Sequence, residues 1–129
     1  MMNTQQISQI NTKASATSPL IKLDPLVGLL TIKGRSLLNN AIEFYQPLIK
    51  ALVHGDLPNK LTVDFMMDYY NTSSVKCLLI LFKKLKDLKE KGHDILINWY
   101  SDEEDFDHIE VGQDFEDLVG LKFNFVYGV

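Results

Sequence analysis

Residues 68–100 read DYYNTSSVKCLLILFKKLKDLKEKGHDILINWY, and this stretch carries the handover from a strand to a helix and on to a second strand. Leu61 to Tyr70, which ends inside it, is apolar at Val63, Phe65, Met67 and Tyr69 with Met66 opposite, a pattern that predicts a central strand buried on both faces. From Ser73 to Lys91 the residues Cys77, Leu78, Leu81, Leu85 and Leu88 recur at helical spacing, Val75, Leu79 and Phe82 widen the stripe, and Gly92 stops it. Residues 94–100, DILINWY, then predict another strand. Strands separated by a helix require a crossover connection, so the two run parallel.

Working upstream, Leu20 to Asp24 and Leu29 to Lys33 are short strand-like runs joined through Asp24-Pro25 and Gly28, which predicts a hairpin. After Gly34-Arg35-Ser36, the residues Ala41, Phe44, Tyr45, Leu48 and Leu52 form an amphipathic helical stripe, with Asn39 or Asn40 as its cap. Pro47 lies inside that stripe, removes a backbone donor and presses on the carbonyl of Glu43, so a kink or break is expected there. His54 to Asn59 reads as a loop. Downstream, Glu104 to Leu118 predicts a weaker helix interrupted by Gly112, and KFNFVY, residues 122–127, a last strand. The order β-β-α-β-α-β-α-β implies one α/β domain with a mostly parallel central sheet, an N-terminal hairpin and helices packed over the sheet.

Bulk properties narrow the function. A chain of 129 residues with 46% hydrophobic residues supports one domain with a real core. Residues 1–18, rich in Gln, Asn, Ser and Thr with Lys13 as their charge, are expected to form a disordered polar tail, leaving 19–129 as the domain. They lack the continuous apolar core of a signal peptide, and no run approaches a bilayer span. A net charge of −4 argues against nucleic acid or an anionic membrane as partner. The single Cys77 and the scattered His54, His93 and His108 offer neither a disulfide nor a zinc site. A cytoplasmic protein without cofactor or metal is the expectation.

Two features remain. N-T-S-S, residues 71–74, stands at the start of the long helix, where unpaired N–H groups and the positive end of the helix dipole accept an anion. The plainer explanation is that Asn71, Thr72 or Ser73 caps the helix, an interaction of about 1 kcal/mol that needs no function. The residues at i+3 from Thr72 and Ser73 are Val75 and Lys76, so the capping-box form is absent. The second feature is the acidic run Asp102, Glu103, Glu104, Asp105, Asp107, Glu110, Asp114, Glu116 and Asp117, which does not match the ligand spacing of an EF-hand and reads as a solvated face or a surface for a basic partner. It contrasts with the lysine-rich face of the preceding helix. Neither a G-x-S-x-G elbow nor a glycine-rich phosphate loop is present, which points away from an enzyme. Tyr100 ends a parallel strand at the sheet edge where binding sites gather.

Taken together, GRSLLNNAIEFYQPLIKAL (34–52), DYYNTSSVKCLLILFKKLKDLKEKGHDILINWY (68–100) and EDFDHIEVGQDFEDLVGLKFNFV (104–126) resemble the SiaC family of bacterial regulatory phosphoproteins, relatives in fold of the STAS domains of anti-sigma-factor antagonists. The resemblance implies a STAS-like partner-switching protein. It implies phosphorylation by a dedicated Ser/Thr protein kinase on Thr72 and dephosphorylation by a PP2C-type phosphatase. It further implies that the unphosphorylated form binds a diguanylate cyclase, a GGDEF protein, and promotes cyclic-di-GMP synthesis. Asn71, Ser73 and Ser74 match the motif and are expected to position the acceptor and line the docking surface, with Gly34, Ser36, Asn40 and Tyr100 also assigned to partner binding. Leu38-Asn39 replaces the Pro-Glu usual in the family before Asn40. An anti-sigma-factor antagonist that captures an anti-sigma kinase is the alternative on the same fold.

Overall fold

In the protein, a computed structural model that describes residues 9–102 and 104–128, the βαβ reading of residues 60–101 holds and sets the architecture. Strand β4 (Lys60–Tyr70) leads into α2 (Thr72–Glu90) and then β5 (Asp94–Ser101), which pairs parallel to β4. Ahead of them come β1 (Ile10–Thr12), β2 (Leu20–Asp24), β3 (Leu29–Ser36) and α1 (Ala41–His54); after them, α3 (Phe106–Val119) and β6 (Asn124–Tyr127). The six-stranded sheet has the order β1-β2-β3-β4-β5-β6, antiparallel up to β3 and parallel from β3 onward.

Because this order never reverses, right-handed crossovers carry every helix to the same face of the sheet. Burial along β4 follows: Leu61, Val63, Phe65 and Met67 are buried, whereas Thr62, Asp64 and Met66 are half-exposed. The expectation of a strand buried on both faces is therefore corrected. β4 is central, but among the described residues one side of the sheet has no helix layer, and there Asp64 Oδ1, Asn98 and Asn124 form a polar ladder through Nδ2 bonds of 2.9 Å each.

Three other expectations change. Ile10–Thr12, placed in a disordered tail by composition, pairs with Leu23–Ile21 as an edge strand, because Ile10 packs against the core. Residues 1–8 of that tail lie outside the described residues. Helix α1 runs unbroken through Pro47. Pro47 and Glu43 both face solvent, so water can serve the carbonyl the proline leaves unbonded, while Ala41, Tyr45, Leu48 and Leu52 bury the opposite side.

Helix α3 is likewise continuous across Gly112, which is buried. A Cβ there would lie 2.8 Å from Trp99 Cε2 and 2.8 Å from Phe125 Cε1, so the glycine lets the helix sit directly on the aromatic core. In that core Trp99 is stacked between Phe65, at 4.6 Å and 24°, and Phe123, at 5.7 Å and 9°. Gly112→Ala raises helix propensity by up to about 1 kcal/mol, but the added methyl collides with two rings. A net loss of about 1–3 kcal/mol is expected from the overpacking, to be read as a lower midpoint in urea denaturation; an unchanged or higher midpoint would show that the helix can lift off the indole.

Candidate modification and docking site

The carboxyl ends of β3 and β4 and the amino ends of α1 and α2 meet at one corner. Gly34, at φ +118°, takes a backbone form that other residues rarely adopt, and just past it the β3–β4 register shifts so that Arg35 faces Tyr69 and Ser36 faces Tyr70. The shift turns Ser36 into the core, where it is fully buried. Its carbonyl accepts the N–H of Asn71 at 3.0 Å, which ties the end of β3 to the start of α2.

Three buried hydroxyls then close the corner with a defined direction. Ser74 Oγ donates to the Ser36 carbonyl at 3.1 Å, which uses its only proton. At the 2.6 Å contact between Ser36 Oγ and Ser74 Oγ, Ser36 is therefore the donor, and Tyr45 O–H donates to Ser36 Oγ at 2.8 Å. Burial pushes the Tyr45 phenol up to about 12, so it stays protonated and able to donate.

The motif N-T-S-S divides its work accordingly. Asn71 is the cap of α2: its Oδ1 accepts from Ser74 N at 2.9 Å and its Nδ2 donates to Leu38 O at 3.0 Å. Ser73 Oγ donates to Asn39 O at 3.4 Å and accepts from Ala41 N at 3.3 Å, so it caps α1 from the neighbouring helix. Asn40 occupies the cap position of α1 but makes no side-chain cap bond, and it is exposed. Thr72 alone is an exposed first-turn residue whose hydroxyl has no partner among the described residues, beside the unbonded N–H groups of Thr72 and Ser73 at the head of a 19-residue helix. An added phosphate would meet those N–H groups and the positive helix end.

Not every residue assigned to docking is accessible. Ser36 and Ser74 have 0% exposure and act by holding the loop. Gly34 is half-buried, with Pro19 and Ala14 nearest to the place a side chain would take. Tyr100 lies apart from Thr72, in a cleft of about 380 Å³ lined also by Lys33, Met66, Asp68, Asp102 and His108. Within it His108 Nε2 donates to Tyr100 O at 3.2 Å and Nδ1 lies 2.9 Å from the Tyr70 hydroxyl. Burial lowers the ring's pKa from its ordinary value and so favours the neutral form, in which Nδ1 accepts from Tyr70 O–H. Of the acidic run, Glu103 lies outside the described residues; Asp105 caps α3 through His108 N at 3.1 Å.

Tyr45 and His108 were missed as polar anchors in the sequence. A tyrosine in place of phenylalanine on a core stripe was the available signal, since a buried phenol needs a partner. No such local sign marks His108, whose partners come from β4 and β5.

A profile of the SiaC family of regulatory phosphoproteins matches residues 12–127. The chain belongs to the SiaC family. An uncharacterised protein of Pseudomonas aeruginosa strain UCBPP-PA14 is 24% identical over 121 residues, covering 91% of this chain and 94% of the relative. The fold matches the crystal structure of apo-SiaC from P. aeruginosa with a TM-score of 0.79 at 23% identity, over 95% of this chain and 99% of that one. It also matches SiaC in a complex from P. aeruginosa in which SiaC is the activator of the diguanylate cyclase SiaD, with a TM-score of 0.85 at 21% identity, over 92% and 99% of the two chains.

Two outcomes check the geometry. Tyr45→Phe keeps the ring and removes the donor to Ser36, and is expected to cost about 1 kcal/mol in chemical denaturation; no loss would mean that the hydroxyl relay adds nothing. His108 is lowered from its ordinary value of 6.5 mainly by burial, with Asp105, the Tyr100 carbonyl and Asp68 acting in opposition. The folded protein binds this proton less readily than the unfolded chain, so the stability it gives is complete above 6.5 and is lost as the pH falls through the lowered folded value. The unfolding midpoint should fall from about pH 7.5 to about pH 5.5 more steeply in wild type than in His108→Gln; equal slopes would place the pH dependence elsewhere.

Proposed function

We propose that this chain is a non-enzymatic partner-switching protein whose unphosphorylated form binds and activates a diguanylate cyclase, and whose phosphorylation on Thr72 releases it. The observation that carries the reading is the division of labour in N-T-S-S: Asn71, Ser73 and Ser74 spend their polar atoms on the fold, and Thr72 presents an unbonded hydroxyl to solvent. Membership of a family of regulatory phosphoproteins supports an acceptor role for it. The P. aeruginosa complex, in which SiaC is the activator of SiaD, supports a cyclase as partner.

The physics of the switch is electrostatic. A phosphothreonine brings about −1.5 to −2 charges. At the head of α2 the domain tolerates that charge, because unpaired N–H groups and the helix dipole face it. A partner seated over the same loop would have to desolvate the phosphate or be repelled by it. One modification then changes an interface and leaves the fold unaltered. A Ser/Thr protein kinase and a PP2C-type phosphatase set the balance.

Pull-down from a lysate of the source organism, with mass spectrometry, identifies the cyclase; calorimetry with the purified cyclase then measures the switch. Wild type and Thr72→Ala are expected to bind alike and to raise cyclic-di-GMP output, and Thr72→Glu to bind at least about tenfold more weakly, equivalent to about 1.4 kcal/mol, with an unchanged unfolding midpoint. Equal binding by Ala and Glu variants would remove Thr72 as a switch.

A further inference from the structure

The cleft between β4, β5 and the head of α3 is used by nothing in the switch described above. We propose that it is a recognition pocket for an arginine side chain of a protein partner, a second contact separate from Thr72. Three carboxylates line it, from Asp68, Asp102 and Asp105, against Lys33 as the one cation lining it among the described residues. Met66, the buried Met67 and Tyr100 complete the lining with less polar residues. With about 380 Å³ it reaches the size range of pockets that enclose a small group, roughly 300–1,000 Å³.

The lining selects its occupant by chemistry. A nucleotide, a phosphate or another anion would face three carboxylates and is repelled. A metal ion lacks a ligand set, since no group of three acidic, histidine or cysteine residues among the described residues is placed to hold one. His108 cannot serve as ligand or base while both ring nitrogens bond Tyr70 and Tyr100. A guanidinium fits each part: its N–H groups donate to carboxylates in one plane, its flat face stacks on aromatic rings, and its methylene stem lies along thioethers. Lysine satisfies the charge but not the planar contacts.

Two further facts favour a partner's side chain as the source. Asp68 stands on the exposed end of β4, four residues before Thr72, so the cleft opens at the same carboxyl end of the sheet as the acceptor loop. Asp68 and Asp102 are also exposed and spared from structural duty: Asp102 engages its neighbours through its backbone carbonyl, to Ser101 Oγ at 3.2 Å, whereas Asp105 is committed to capping α3.

The test uses the full chain, labelled with ¹⁵N, titrated with acetyl-Gly-Arg-Gly-amide and with its Lys and Glu counterparts. The arginine peptide is expected to shift the amides of residues 66–68 and 100–102 with a dissociation constant on the order of 1 mM, more strongly than the lysine peptide, with the glutamate peptide inert and the effect weakened by salt. Asp68→Asn with Asp102→Asn should weaken the arginine peptide at least about fivefold while the remaining spectrum stays that of the folded wild type. Absence of shifts at these residues, equal shifts by the glutamate peptide, or an unaltered response of the double variant would each overturn the pocket. Because no cyclase is used and Thr72 is untouched, failure here is separable from failure of the switch.

Discussion

A phenol buried beyond the reach of water must find its acceptor inside the protein, and in this chain the acceptor found by Tyr45 is a serine that is itself fully buried. Ser36 in turn donates a hydrogen bond to Ser74 Oγ, and Ser74 Oγ donates to the Ser36 backbone carbonyl. Three elements, β3, α1 and α2, are locked by this one chain of bonds. Each hydroxyl has a single proton, so the chain has one satisfied arrangement, and removal of the Ser36 hydroxyl leaves the buried Tyr45 phenol unpaired. The geometry of the N-T-S-S turn follows from it: with Ser74 drawn into the core, Ser73 falls against the head of α1 and Thr72 is turned outward.

The periodicity of residues 61–100 made the central βαβ unit legible, because two strands and an amphipathic helix of this length have few other solutions. Where the reading departed from the fold, tertiary contact had overridden a local rule. Pro47 breaks helices by orphaning a carbonyl, yet it lies on the wet side of α1, where water answers that carbonyl. Gly112 weakens helices by its freedom, yet it faces Trp99 and Phe125, where the lack of a side chain permits contact. Ile10–Thr12 looked like part of a tail in composition, and became a strand because β2 offered it an edge.

The candidate site was legible in part for a similar reason. The motif located the turn, but which of its hydroxyls was free depended on residues 30 and more positions away, such as Asn39, Ser36 and Ala41. No window of sequence contains those distances. Tyr100 was placed at a binding edge by its position on a parallel strand, and it does line a cleft; the acids that share the cleft come from β4 and from the segment leading into α3, which only the fold brings together.

A sheet whose described helices all lie on one side also separates the stable core from the exposed carboxyl end. The covered face holds the aromatic core around Trp99 and so sets stability. The carboxyl end, where the helices begin, carries dipoles, loops and exposed polar groups that add little to that core. Charge can therefore be added to the head of α2 without entering the apolar layer, and the energetic consequence falls on whatever is docked there. That asymmetry, a rigid clasp underneath and the exposed Thr72 hydroxyl above it, is what the proposed switch requires: a charge added there would bear on a docked partner while the domain keeps its fold.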